Sequence, residues 1–404
     1  MNKLLNIEYW SIHATYWMIY AAVSSFASVY LLSIGYSNSE IGIIMAIANV
    51  LAVIMQPLTA DLADRSKKVS LIGISMIMTI MMMCFMVFMF LIHKKTITLF
   101  VIYVLLLAWH TVLHPLFNSL NFKLQESGVH INFGMCRSGG SLAYSILCLF
   151  LGTLVEKHGV MVLPITGEVV SLMLLISLML TAIQFKKISA ANAEKIEAAK
   201  EAAPKEEEIN LVDFVKRNKL FFVLNIGVVF LYFHNQILNN FMLQIVTNVG
   251  GNSEDMGRIF SLMAFLEIPT LFCFDWINKK FSCAFLLKVA SIGFVIKIAL
   301  VFLARSVALI FVAQCFQVIS FALFLPAMVH YVDEIMSKGE AVKGQALYTM
   351  MITVTTVIGS FAGGLILDMS GARMLTLVAL ISTCIGAAIV IVMINKVNIK
   401  KNIS

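Results

Sequence analysis

Long apolar runs recur along this chain, most of them about 20 residues or more, separated by short polar breaks. One break stands out: Lys186–Lys219, near the midpoint, is the longest polar stretch inside the chain. Runs of about 20 apolar residues match a bilayer hydrocarbon core of about 30 Å. The pattern predicts an all-α membrane protein of twelve transmembrane helices in two six-helix bundles. The first bundle holds spans at approximately 8–33, 38–62, 69–92, 97–122, 131–155 and 160–185. The second holds approximately 219–246, 254–277, 283–304, 307–332, 341–367 and 373–395. Uncharged stretches such as Ile74–Leu91 argue against a β-barrel, whose strands are short and alternating. The domain reading is therefore 1–185, a linker at 186–218, and 219–404. Two equal bundles joined by one charged tether are the plan of a transporter that rocks one half against the other.

Composition agrees with the pattern. The 404 residues are 60% hydrophobic and 13% charged, far more apolar than a water-soluble globule requires. The net charge of +7 invites a nucleic-acid reading, but its distribution opposes one. With the N-terminus placed inside, 20 of the 29 basic residues fall in inner segments and 6 in outer loops. That bias predicts a multi-pass protein of the cell (cytoplasmic) membrane with both termini cytoplasmic. The first span is too long for a signal-peptide core and is expected to stay as helix 1. All seven cysteines lie in or beside apolar spans without a CxxC pair, so neither a metal nor a cofactor is expected. No catalytic triad, metal-ligand motif or phosphate loop is present, and an enzyme is not expected. The linker is rich in Ala, Glu and Lys, as a solvated connector is. Its end, LVDFVKRNK (Leu211–Lys219), mixes apolar and basic residues and predicts a short amphipathic helix along the membrane surface.

Polar residues inside the spans carry the candidate chemistry, because lipid makes each of them costly. After helix 2 the chain reads TADLADRSKK (Thr59–Lys68); after helix 8 it reads FDWINKKFS (Phe274–Ser282). Laid over one another, Asp275 meets Asp61, Asn278 meets Asp64 and Lys279 meets Arg65. The repeat half a chain apart suggests an internal duplication and an acidic-basic gate latch. Its candidates are Asp64, Arg65 and Asp275. Arg137 and Tyr144 in FGMCRSGGSLAYS (Phe133–Ser145) stand seven apart, on one helix face. Arg137 either lines a polar cavity or snorkels to the headgroups. Helix 7 clusters Asn235, Gln236 and Asn240, which line a cavity or bond between helices. Glu267 in FLEIPT is the only acid deep in helix 8, and Lys297 lies in helix 9; a buried Glu and Lys are expected to pair.

The Asp64–Arg65 segment resembles the loop motif of the major facilitator superfamily, with Ala60 replacing its first Gly. Within it the chain looks most like the lactose permease-like branch of sugar and nucleoside proton symporters. That resemblance implies substrate binding by Arg137, Tyr144, Asn118 (with a one-residue offset), Asn235, Gln236, Asn240, Glu267 and Gln317. It also implies a proton-coupling role for Glu267 and Lys297. The departure lies on helix 10. Gln314, Gln317 and Ser320 stand where that branch has Lys, His and its proton-carrying Glu. If protons couple here, the alternative carriers are Glu267, Glu168, His110 and His114. On helix 1, Tyr9 and Trp10 fit an interfacial belt, while Tyr16 and Tyr20 either join it or face a cavity. On helix 11, Gln345, Tyr348 and Thr349 form a polar face, and Gly359, Gly363 and Gly364 form a strip for close helix packing.

The expected function is secondary active transport of a small polar solute (sugar, nucleoside or aromatic acid), proton-coupled, by alternating access. Its partners are that solute, protons and the lipid bilayer, without nucleic acid, and the chain is expected to be a monomer. The alternatives are a multidrug-type exporter and a non-transporting membrane receptor of the same fold.

Overall fold

The computed structural model describes residues 2–65, 70–126, 131, 133–191, 211–337 and 340–403, and the described elements are helices. The chain divides into two compact units, Met1–Tyr36 with Ile47–Glu206, and Ser37–Ala46 with Glu207–Ser404. In chain order the first helices are α1 (Asn2–Tyr20), a π-turn at Ala21–Ser25, α2 (Ala27–Ile34), α3 (Asn38–Arg65) and α4 (Leu71–Leu91). They are followed by α5 (Ile97–Glu126), α6 (Phe133–His158) and α7 (Val162–Ala191). Next come α8 (Leu211–Arg217), within the expected linker, then α9 (Lys219–Thr247), α10 (Ser253–Lys280) and α11 (Cys283–Leu303). The last three are α12 (Val307–Cys315), α13 (Phe321–Ile335) and α14 (Ala341–Ile403).

Among the described residues, ten helices are long and apolar enough to cross a membrane. The difference from the twelve expected spans has two local causes. First, α14 runs through residues read as two spans, and Gly371 (φ 77°, ψ 178°) interrupts it where the sequence places their junction. Second, the span expected at 307–332 is not one helix. It is α12 and α13, separated by turns at Phe316–Ser320, and neither piece alone reaches membrane-spanning length. The backbone there tightens and then widens. The N–H of Gln317 donates to Gln314 O three residues back, and that of Ala322 to Gln317 O five residues back.

The first span is also irregular. At the π-turn Phe26 N–H reaches Ala21 O at 3.1 Å, a five-residue step that inserts one residue into the helix. Within that insertion the Val23 carbonyl receives the phenol of Tyr103 at 2.8 Å. Two other tyrosines of this unit are anchored alike: Tyr9 donates to Phe117 O at 3.0 Å and Tyr30 to Met89 O at 3.3 Å. A buried phenol must find such an acceptor. Tyr9 is fully buried, so the interfacial-belt reading is corrected for this residue, while Trp10 is 37% exposed.

The second unit packs around Phe294, Phe324, Tyr232 and Tyr331. Phe214 of α8 inserts into the same core while Asp213, Lys216 and Arg217 stay exposed, so α8 is amphipathic. Helices α9 and α14 lie close because glycines let them. A Cβ at Gly359 would come within 2.8 Å of Gln236 Cβ, and one at Gly386 within 2.3 Å of Leu231 N. Gly363 faces Phe241, where α9 itself kinks (φ −127°, ψ 25°). Also inside the second unit, Asp368 receives the backbone N–H groups of Asn38 (3.2 Å) and Ser39 (2.7 Å). It thereby caps the first turn of α3, whose donors would otherwise lack partners.

Candidate solute and coupling site

One polar cluster lies in each unit. In the first, α6 places Arg137 so that its guanidinium carbon is 4.8 Å from the centre of the Trp17 ring, a cation–π contact. The adjacent Gly139–Gly140 pair explains how the indoles fit. A Cβ at Gly140 would sit 2.3 Å from Trp17 Cδ1, and one at Gly139 only 1.9 Å from Trp10 Nε1. One helical stretch thus supplies both a cation and the flat surface against which the tryptophans lie.

Around Trp17 the rings interlock. Tyr144 stands edge-on to it at 6.5 Å, and the Tyr144 hydroxyl bonds Ser25 Oγ at 2.8 Å, on the π-turn. Tyr16 stacks on His110 at 4.3 Å and on His114 at 5.5 Å. His110 Nε2 lies 3.2 Å from Tyr16 O and donates to it. Trp17 Nε1, His114 Nε2 and Asn118 Oδ1 are buried without a hydrogen-bond partner among the described residues. Buried polar atoms of this kind carry a desolvation cost of about 1–3 kcal/mol each until something satisfies them. They lie on α1 and α5, the elements that flank Arg137's aromatic neighbours.

The second cluster is a three-member chain. Lys297 Nζ on α11 donates to Gln317 Oε1 at 2.5 Å, and Gln317 Nε2 donates to Glu267 Oε1 on α10 at 2.7 Å. Lys297 is fully buried, and Gln317 is 1% exposed. Gln317 thus links the Glu and Lys that the sequence reading expects to pair. The break in the tenth span makes the relay possible, because Gln317 sits within the irregular turns at Phe316–Ser320. Gly293 leaves room for that break: a Cβ there would come within 2.8 Å of Ile319 O. An amide between ammonium and carboxylate is polarised at both ends, a charge-assisted arrangement stronger than neutral hydrogen bonds.

The other predicted residues fall as follows. Asn240 donates to Ser360 Oγ at 2.8 Å, a bond between helices. Asn235 is buried, and Gln236 lies against Gly359. Tyr348 meets the hydroxyl of Tyr232 at 3.2 Å. Gln314 is fully buried, and both polar atoms of its side chain lack a partner among the described residues. Ser320 Oγ donates to Phe316 O at 2.7 Å. Glu168 is partly buried, and its Oε2 has no hydrogen-bond partner among the described residues. Of the gate candidates, Asp275 is exposed, and the side chains of Asp64 and Arg65 lie outside the described residues.

Three features escaped the sequence reading. The role of Trp17 was signalled only by the Gly-Gly pair two residues past Arg137. His234 is fully buried on α9, with Nδ1 2.7 Å from Leu231 O and its ring 4.9 Å from Phe294, one turn before Lys297. The Asp368 cap had no local sign at all.

With this geometry in hand, comparison with known proteins decides the family. The model of the MFS_1-like family matches residues 9–378. The chain belongs to that family. It is therefore a membrane transporter of the major facilitator type and a multi-pass membrane protein. No curated protein sequence matches it significantly. Among solved structures it is similar to the nucleoside transporter NupG, at 14% identity and a TM-score of 0.76, covering 96% of this chain and 98% of that one. It is also similar to a bacterial homologue of the human lysosomal transporter Spinster, at 13% identity and a TM-score of 0.68, covering 98% and 97%. A third is the POT family transporter PepTSo, at 10% identity and a TM-score of 0.69, covering 96% of each chain. At these identities the likeness is one of fold.

Proposed function

We propose that this member of the family is a proton-coupled symporter that imports a small, polar, ring-bearing solute, with nucleosides as the leading class before sugars and aromatic acids. It would work by alternating access through twelve crossings, counting both arms at Gly371 and the broken α12–α13 pair as spans. We place it in the cell membrane with both termini cytoplasmic, acting as a monomer.

The observation that carries the reading is Arg137 on Trp17, beside buried polar atoms on Trp17, His114 and Asn118. A flat base can stack on indole or phenol faces, and aromatic stacking on a base is worth about 1–3 kcal/mol. The guanidinium fork and the partnerless atoms would then meet ring nitrogens, carbonyls or hydroxyls. The likeness to NupG, a nucleoside transporter, supports the same class. A multidrug-type cavity, by contrast, has no use for fixed polar atoms that cost desolvation energy.

For coupling, Glu267 is the proposed proton carrier and Lys297 its charge partner through Gln317. Protonated Glu267 no longer attracts the ammonium through the amide, so proton loading alters the hydrogen bonding of α10, α11 and the broken span together. The binding half of the proposal is tested by thermal shift of purified protein with uridine, adenosine, a phenyl glycoside and benzoate. At about 100 times the dissociation constant a ligand stabilises by about 2.7 kcal/mol. A nucleoside shift that vanishes in Arg137→Ala is expected; no shift with any nucleoside, or one kept in full by Arg137→Ala, contradicts the assignment.

A further inference from the structure

Away from both clusters, the second unit carries a cavity of about 300 Å³. It is lined at the end of α9 by Val249, at the α11–α12 connection by Phe302, Leu303 and Arg305, and past the Gly371 break by Arg373 and Thr376. Successive crossings alternate in direction, so these three connections share one membrane face, opposite the Lys279–Lys280 end of α10. The lining contains two arginines and no carboxylate. Both arginines are exposed, and among the described residues neither belongs to an ion pair. The acids on the adjoining segments are engaged elsewhere. The Asp255 carboxylate accepts the Asn252 N–H, Glu254 pairs with Arg258, and Asp368 caps α3.

We propose that this cavity binds the phosphate of an anionic membrane phospholipid, with Arg305 and Arg373 as the clamp. Two unpaired guanidiniums at one cavity favour a phosphate, which accepts bidentate hydrogen bonds from each. The Arg373 guanidinium carbon lies 5.9 Å from the centre of the Phe302 ring, which gives that cation a flat support at the rim. The apolar part of the lining distinguishes a lipid from a free anion. Leu303 is 62% exposed and Val249 and Phe302 are half-buried, an apolar surface that an acyl chain can cover. An amphiphile satisfies both halves of that wall, whereas a soluble phosphate satisfies only the arginines.

The test is native mass spectrometry of the full chain in detergent with phosphatidylglycerol, phosphatidylcholine or glycerol phosphate added. Wild type is expected to retain one phosphatidylglycerol and to release phosphatidylcholine. The double variant R305Q/R373Q is expected to hold phosphatidylglycerol at least about tenfold more weakly, a loss of about 1.4 kcal/mol or more. R305K/R373K, which keeps both charges, should restore part of the retention and thereby show that the site still folds. K94Q/K95Q, an equal charge change on exposed residues of the other unit, should leave it intact. Equal retention in R305Q/R373Q, or equal loss in K94Q/K95Q, overturns the site. Binding of glycerol phosphate as tight as that of phosphatidylglycerol overturns the lipid assignment in favour of a free anion.

Discussion

Arg137 and Trp17 hold one another: the guanidinium lies over the indole, and Gly140 on the same helix as Arg137 leaves the space in which the indole rests. The pairing gives a cation in an apolar helix a flat aromatic support. An Arg137→Lys variant keeps the charge but loses the planar fork, so it should insert normally and bind the solute about 10 to 100 times more weakly. Scintillation-proximity binding beside a thermal melt separates these effects. A lysine variant that binds as wild type does would reduce Arg137 to a topology signal.

Gly140 offers a sharper test of the same contact. Alanine in a helix interior is favoured over glycine by about 1 kcal/mol, while overpacking costs about 1–3 kcal/mol. With a Cβ only 2.3 Å from Trp17 Cδ1, overpacking should win. Gly140→Ala is therefore expected to lower the melting temperature and weaken solute binding together. A more stable protein with unchanged binding contradicts the packing account.

Gln317 should behave as a bridge, not as a filler. Gln317→Leu keeps most of the volume but leaves buried Lys297 without its acceptor. Hydrogen bonds to charged groups contribute about 1.5–3 kcal/mol, so a destabilisation of that size is expected in denaturant or thermal unfolding. Gln317→Glu gives Lys297 a direct counter-ion and should restore stability while disturbing coupling. Equal stability of wild type and Gln317→Leu would show that the relay contributes nothing.

The broken tenth span depends on Gly293. Gly293→Val would drive side-chain atoms into Ile319 O and force the Phe316–Ser320 turns to move. Loss of transport is expected even where the protein still reaches the membrane, because Gln317 is carried on those turns. Surface expression and uptake measured on the same cells check this; normal uptake contradicts it.

The repeating apolar pattern made the helices legible, along with the residues that repay scrutiny. Lipid makes every buried charge costly, and so Arg137, Glu267 and Lys297 stood out without any structure. The breaks did not. Nothing in QCFQVIS says that the backbone leaves the helix at Phe316, because that outcome depends on the missing side chain of Gly293 on another element. The π-turn at Ala21–Ser25 is hidden for the same reason, its Val23 carbonyl being satisfied by Tyr103 from α5. Tyr9 misled because an aromatic near a span end looks the same whether it faces headgroups or the Phe117 carbonyl. The Gln317 relay was half legible: the glutamine marked a departure from the permease-like pattern, but its place between Glu267 and Lys297 follows from the break.

Coupling is the central claim, and Glu267→Gln in proteoliposomes tests it most directly. With the solute identified by thermal shift, an inward proton gradient should drive uphill uptake by wild type. The Glu267→Gln variant should lose uphill uptake yet still exchange labelled for unlabelled solute across the membrane. Uphill uptake at the wild-type rate by Glu267→Gln would contradict the account.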